Sequence, residues 1–182
     1  MNKKLKIKNN NCLSPPSEWI KNNLPQCNTN LNLLDLACGN GRHSIYAASI
    51  GYKVTSIDKN KNKLSNLKKN KLIFPIQFDI ESNNNWPFPK KKFDVVIVTN
   101  YLYRPIFNNI INSIKLHGKL LYETFTAENY IFGKPNNKNY LLEPQELLKL
   151  ARNKNLKIIN YEEIIITKPK EKAIQRIFAQ IK

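Results

Sequence analysis

The stretch Leu33-Leu34-Asp35-Leu36-Ala37-Cys38-Gly39-Asn40-Gly41-Arg42-His43 constrains the fold more than any other part of this chain. A short apolar run ends on small residues and a Gly-x-Gly, and the segment after it can open a helix. That is how an α/β domain presents backbone N–H groups to a nucleoside-bearing ligand.

The pattern around it is an alternation of strand and helix signals. Strands are expected at 32–36, 53–57, 74–78, 93–99 and 119–124. Two further strand runs, 156–167 and 173–181, are joined by the turn Lys168-Pro169-Lys170-Glu171 and read as a terminal antiparallel hairpin. Helices are expected from Pro15 with Ser14 as cap, at 41–50 with Ile45, Ala48 and Tyr46 inward, at 61–69, at 105–114, and from Glu143 to about Arg152. In Phe93-Asp94-Val95-Val96-Ile97-Val98-Thr99 the run Val95 to Val98 is continuously apolar and β-branched, as a parallel strand buried on both faces should be. The expected fold is α/β: a Rossmann-like, doubly wound, mostly parallel seven-stranded sheet with an antiparallel C-terminal hairpin. Its 182 residues fit one domain, 15–182, preceded by a basic tail, 1–14. Asn9-Asn10-Asn11 follows the basic N-terminal residues where a signal peptide would need an apolar run, and no apolar run approaches a membrane span. The expectation is a cytoplasmic protein.

Three cysteines, Cys12, Cys27 and Cys38, lack the spacing of a disulfide framework or a zinc site, so no metal is expected. Cys38 reads as a small residue packed in the glycine turn. The net charge of +17 raises the question of nucleic acid. Nearly all of it is lysine, however, with arginine only at 42, 104, 152 and 176. Lysine, asparagine and isoleucine are what AT-rich codons encode, and the clusters at 3–8, 59–71 and 90–92 suit solvated faces and turns.

Ligands of such sheets bind beyond the carboxyl ends of the strands. A dinucleotide loop needs a third glycine where Ser44 stands, and the Gly-Lys-Ser/Thr of a phosphate loop is absent. Asp58 ends the second strand and Asp79 follows the third. Asp58 could instead cap the next helix, and Asp79 could be a plain turn residue. Arg42 and His43, at the start of a helix, could face a carboxylate or lie solvated in the first turn.

Leu34-Asp35-Leu36-Ala37-Cys38-Gly39-Asn40-Gly41 resembles motif I of the class I S-adenosylmethionine-dependent methyltransferases. Phe78-Asp79-Ile80, Phe93 to Val98, and His117-Gly118-Lys119-Leu120 resemble later segments of that family in order, with His117 in place of a glycine. The nearest likeness is to the small bacterial, tellurite-resistance-like branch. The resemblance implies S-adenosyl-L-methionine as cofactor, held by Asp35, Ala37, Gly39, Gly41, Arg42, His43, Asp58, Asp79, Ile80 and Asn100. Asp58 would meet the ribose hydroxyls, Asp79 the adenine amino group and Ile80 the ring.

Neither the Asn/Asp-Pro-Pro-Tyr/Phe motif of amino methylation nor the paired cysteines of pyrimidine methylation occurs. Residues Asn100, Tyr101, Tyr103, Arg104 and Glu123 are the expected acceptor pocket, with Arg104 binding an anionic group. The segment 127–142 is expected to close over it as a lid, a disordered connector being the alternative. A small-molecule acceptor is expected. The alternatives are an RNA or ribosome-linked methyltransferase and a non-catalytic nucleotide-binding or scaffold protein, with a nicotinamide-dependent oxidoreductase more distant.

Overall fold

The computed structural model describes residues 13–27, 30–82 and 86–182. The tail 1–12, with Cys12 and the first lysine cluster, lies outside them. In chain order the elements are α1 (Glu18–Asn23), β1 (Asn32–Leu36), α2 (Arg42–Ser49), β2 (Lys53–Asp58), α3 (Lys61–Leu64), β3 (Ile73–Gln77), β4 (Phe93–Thr99), α4 (Phe107–Ser113), β5 (Ile114–Phe125), α5 (Glu146–Asn153), β6 (Lys157–Ile166) and β7 (Lys172–Gln180). Short 3-10 turns fill Ser65–Lys69, Arg104–Ile106, Ala127–Phe132 and Lys138–Tyr140.

The seven strands form one sheet in the order β3-β2-β1-β4-β5-β7-β6. Pairing is parallel from β3 through β5, and β7 runs antiparallel to both neighbours. Successive residues of a strand face opposite sides. Leu34, Leu36, Val96, Val98, Leu120 and Tyr122 therefore enter one core, with Ile106, Ile110 and Leu147. Leu33, Val95, Ile97 and Leu121 enter the other, with Trp19, Ile20 and Ala47. The ligand side of the sheet is the end where β1, β2, β4 and β5 terminate. No helix among the described residues is long and apolar enough to cross a membrane.

Several local expectations need correction. Ser14 does not cap α1. The helix starts three residues later behind Ser17, whose hydroxyl donates to Glu123 and accepts no helix N–H. Ile45 is 40 % exposed, while Ala47 and Ala48 are buried. Ala48 is inward as expected, and Ile45 alone turns out to solvent because His43, Ser44 and Ala47 share the covered face with Ala48. The helix expected over 61–69 is α-helical only to Leu64 and tightens to a 3-10 turn, with Leu64 and Leu67 buried. Asn60, not Asp58, caps it, its side chain accepting from the Asn62 N–H.

β5 starts earlier than expected because His117 adopts a left-handed φ of 61° and lets the strand continue through the turn. Gly118 is required there by space. A Cβ would lie 2.5 Å from Ile114 Cγ2 and 2.9 Å from the carbonyls of Asp94 and Lys115. Gly118→Ala is expected to destabilise the fold by about 2 kcal/mol, the usual cost of overpacking. That lowers Tm by roughly 4–8 °C. A Tm within 1 °C of the parent would show that β5 shifts freely.

Candidate functional site

At the carboxyl end of β1, the residues Ala37, Gly39 and Gly41 all take left-handed backbone (φ 52°, 57° and 76°). The two glycines serve different ends. A Cβ on Gly41 would strike Leu67 at 2.4–2.6 Å, so that glycine lets the loop pack on the turn after α3. A Cβ on Gly39 would meet nothing within 4 Å, so the loop faces open space there. Ala37 holds its conformation at a cost of about 1–2 kcal/mol for a residue with a side chain.

Asp58 ties this loop to β2. Its Oδ2 accepts the Gly39 N–H at 2.8 Å and its Oδ1 accepts the Asn60 N–H at 2.8 Å. A carboxylate has two acceptor positions on each oxygen, so both oxygens can still accept from a ligand. Asp79 holds the loop after β3 in a similar way, Oδ1 accepting the Glu81 N–H at 3.0 Å.

Ala37, Asp58 and Asp79 wall a cavity of about 610 Å³, while Gly39 and Gly41 are not among its lining residues; the volume is within the range of small-molecule sites. Of the expected cofactor residues, Ala37, Asp58, Asp79, Ile80 and Asn100 are on its walls, and so is Tyr101 of the expected acceptor set. Phe78 and Ile80 give it apolar surface. Tyr101 donates to Glu81 Oε1 at 3.1 Å, bridging the loops after β4 and β3. Burial, then the neighbouring Glu81, raises the Tyr101 phenol above its ordinary range. Glu81 and the run Lys59 to Lys63 also line the cavity and were not anticipated. The only sequence signal for Glu81 was its place two residues after Asp79.

Other expected residues lie elsewhere. Asp35 is fully buried, accepting from Ser44 Oγ at 2.6 Å, and Ser56 Oγ donates to Ser44 at 2.7 Å. Its Oδ1 has no partner among the described residues. Burial raises its pKa from 3.8 to about 6. Asp35 therefore shapes the loop from beneath. His43 is buried too. Its Nε2 accepts the Ser17 N–H at 3.1 Å and its Nδ1 lies 3.2 Å from Thr99 Oγ1. Burial, then the charges of Arg42 and Lys172, lowers its pKa to about 3. Arg42 reaches back to the Pro15 carbonyl at 3.3 Å. Glu123 is 1 % exposed and sits between Lys172 (3.7 Å), Arg176 (3.5 Å) and Ser17 Oγ (3.1 Å). Tyr103 packs half-buried against the core. Cys38 is buried, which raises its thiol far above the ordinary range and keeps it inert.

Arg104 corrects the expectation of an anion-binding arginine. Nε and Nη2 donate to Glu146 at 2.6 and 2.8 Å, and Nη2 and Nη1 reach the carbonyls of Leu141 (2.9 Å) and Asn139 (3.3 Å). The guanidinium clamps the 138–146 segment onto the loop after β4. Upstream of that segment, buried Asn129 accepts from the Ala173 N–H and donates to the Pro135 carbonyl. Arg104→Ala is expected to remove hydrogen-exchange protection at Leu141 and its neighbours, with ligand affinity in the Asp58 cavity changed less than threefold. Unchanged protection would refute the clamp.

A loop facing open space, carboxylates at the ends of β2 and β3, and apolar walls between them fit a nucleoside with a polar tail. A family model described as "Methyltransferase domain" matches residues 28–179. The "Probable S-adenosyl-L-methionine-dependent methyltransferase TehB" of Haemophilus influenzae is 34 % identical over 93 residues, 47 % of this chain and 31 % of that protein. The chain thus matches less than a third of that relative's length. The crystal structure of TehB from the same organism superposes with a TM-score of 0.70 at 22 % identity, over 91 % of this chain and 60 % of that one. An S-adenosylmethionine-dependent methyltransferase structure from Mesorhizobium loti gives 0.72 at 14 % identity, over 90 % and 96 %.

Proposed function

The chain belongs to the methyltransferase domain family, and from that premise we propose that it transfers a methyl group from S-adenosylmethionine to a small-molecule acceptor, within one domain spanning 15–182. The observation that carries the reading is the cavity in which Asp58 and Asp79 flank the apolar Phe78 and Ile80 beside the Gly39 loop.

In this reading Asp58 holds the ribose, Asp79 and Ile80 hold the adenine, and Ala37, Gly39 and Asn100 shape the space beside them. The bound sulfonium would supply an electrophilic methyl group for in-line displacement. The chain's own work is alignment and exclusion of water. Tyr101 donates to Glu81 and so holds that carboxylate in place on the cavity wall.

Calorimetric titration tests the donor. S-adenosylmethionine is expected to bind in the micromolar range and NADH not at all; the reverse would overturn the assignment. Lys59, Lys61 and Lys63, exposed on the cavity wall, favour RNA as the second reading. Transfer of labelled methyl groups into fractionated cell extract separates the two. Label in RNA, with transfer falling steeply as salt rises, would replace the small-molecule acceptor.

A further inference from the structure

Hydrogen bonds close a ring at the ligand end of the sheet, and the ring includes Asn100 of the Asp58 cavity wall. Ser17, at the start of α1, gives its N–H to His43 Nε2 at 3.1 Å and its hydroxyl to Glu123 Oε2 at 3.1 Å. His43 Nδ1 lies 3.2 Å from Thr99 Oγ1. Thr99 is joined by one peptide bond to Asn100, whose N–H returns to the Glu123 carbonyl at 2.9 Å. The ring thus ties together α1, α2, β4 and β5. His43 and Glu123 are each 1 % exposed.

The geometry fixes the state of the imidazole. A backbone N–H can only donate, so His43 Nε2 carries the lone pair. Burial, ahead of the charges of Arg42 and Lys172, keeps the imidazole neutral. Its one proton is therefore on Nδ1 and goes to Thr99 Oγ1. His43 stands two residues after Gly41, and Thr99 one before Asn100. Asn100 takes a left-handed φ of 52°. Asp58 anchors the loop 37–41 to β2 through the Gly39 N–H. His43 anchors the other end of that loop to β4.

Resting on the methyl-transfer reading, we infer that His43 is a positioning residue for S-adenosylmethionine: through Thr99 it holds the loop 37–41 and the Asn100 wall at a fixed separation, and Ser17 makes α1 a working part of the site. His43 touches no ligand in this role. It presents the two walls already assembled, so that binding does not have to order them. Glu123, with Lys172 and Arg176 beside it, anchors the ring from β5.

Calorimetric titration of the full chain with S-adenosylmethionine tests this. His43→Leu keeps the bulk but neither hydrogen bond, and should weaken binding at least about tenfold. His43→Gln keeps one acceptor and one donor, and should stay within about threefold of the parent. Ser17→Pro removes both donors, and the φ of −57° at this position already suits proline. It should weaken binding at least about fivefold. Gly118→Ala, at the opposite end of the sheet, lowers stability without touching the ring, and should leave affinity within about twofold. If His43→Leu does not fold, Ser17→Pro carries the same test. Long-range proton–nitrogen correlation spectra of the imidazole should show the His43 proton on Nδ1. Affinity within about threefold of the parent in His43→Leu or Ser17→Pro, equal losses in His43→Leu and His43→Gln, or a proton on Nε2 would overturn the inference. A parent protein that binds no S-adenosylmethionine would instead overturn the methyl-transfer reading beneath it, while the imidazole spectrum still reports on the ring.

Discussion

Asp58→Ala is expected to weaken S-adenosylmethionine binding at least about 100-fold, equivalent to roughly 3 kcal/mol. Two losses combine. The ligand loses a charge-assisted acceptor, ordinarily worth about 1.5–3 kcal/mol. The loop loses the anchor on the Gly39 N–H that fixes its distance from β2. Global stability should fall much less, because the freed N–H groups of Gly39 and Asn60 can turn to water at the cavity mouth. The informative result is thus the contrast between affinity by calorimetry and Tm by calorimetric scan. Affinity within threefold of the parent would reduce Asp58 to a loop staple and remove the main support for a nucleoside in this cavity.

The second large effect concerns acid. His43 titrates near 3 in the fold against 6.5 when unfolded. Its contribution is complete above pH 6.5 and is lost as pH falls from there toward 3. Asp35 titrates near 6 in the fold against 3.8 when unfolded. Its raised pKa means that stability is gained as pH falls from 6 toward 3.8, because the buried carboxyl prefers its neutral form. Between pH 7.5 and 5 the first group costs about 2 kcal/mol and the second returns about 1 kcal/mol. The parent should therefore lose only about 1 kcal/mol over that interval. The variants should part in opposite directions: His43→Gln gains about 1 kcal/mol on acidification, and Asp35→Asn loses about 2 kcal/mol. Urea unfolding at the two pH values measures each slope. Slopes identical to the parent's in both variants would show that neither group titrates across the folding transition.

The strand positions and several walls of the Asp58 cavity were legible because both depend on short-range pattern. A strand buried on both faces must be apolar where it is covered, and the run from Val95 to Val98 in β4 is. A ligand at strand ends needs its polar groups there, and Asp58, Asp79 and Asn100 stand at or within two residues of the ends of their strands. Roles set by distant partners were not legible. Arg104 reads as a free cation until α5 brings Glu146 beside it, 42 residues on. His43 reads as a first-turn residue until Ser17 and Thr99 enclose it. Glu123 reads as a pocket acid until β7 places Arg176 opposite it. In each case the missing information was which face another element would cover.

The sheet order has a consequence for how the chain is made. β1, the strand that carries the Gly39 loop, is flanked by β2 and β4. Its β4 neighbour arrives late, for Asn32 and Asp94, which clasp the two strands together, stand 62 residues apart. At ribosomal rates of about 5–20 residues per second, β1 waits roughly 3–12 s with one apolar edge unpaired. During synthesis the ligand-bearing strand is thus the exposed margin of a half-built sheet, open to pairing with the wrong chain. Slower translation between residues 60 and 90 would lengthen that wait, so the yield of folded protein should respond to codon choice in this interval more than in the stretch encoding β6 and β7.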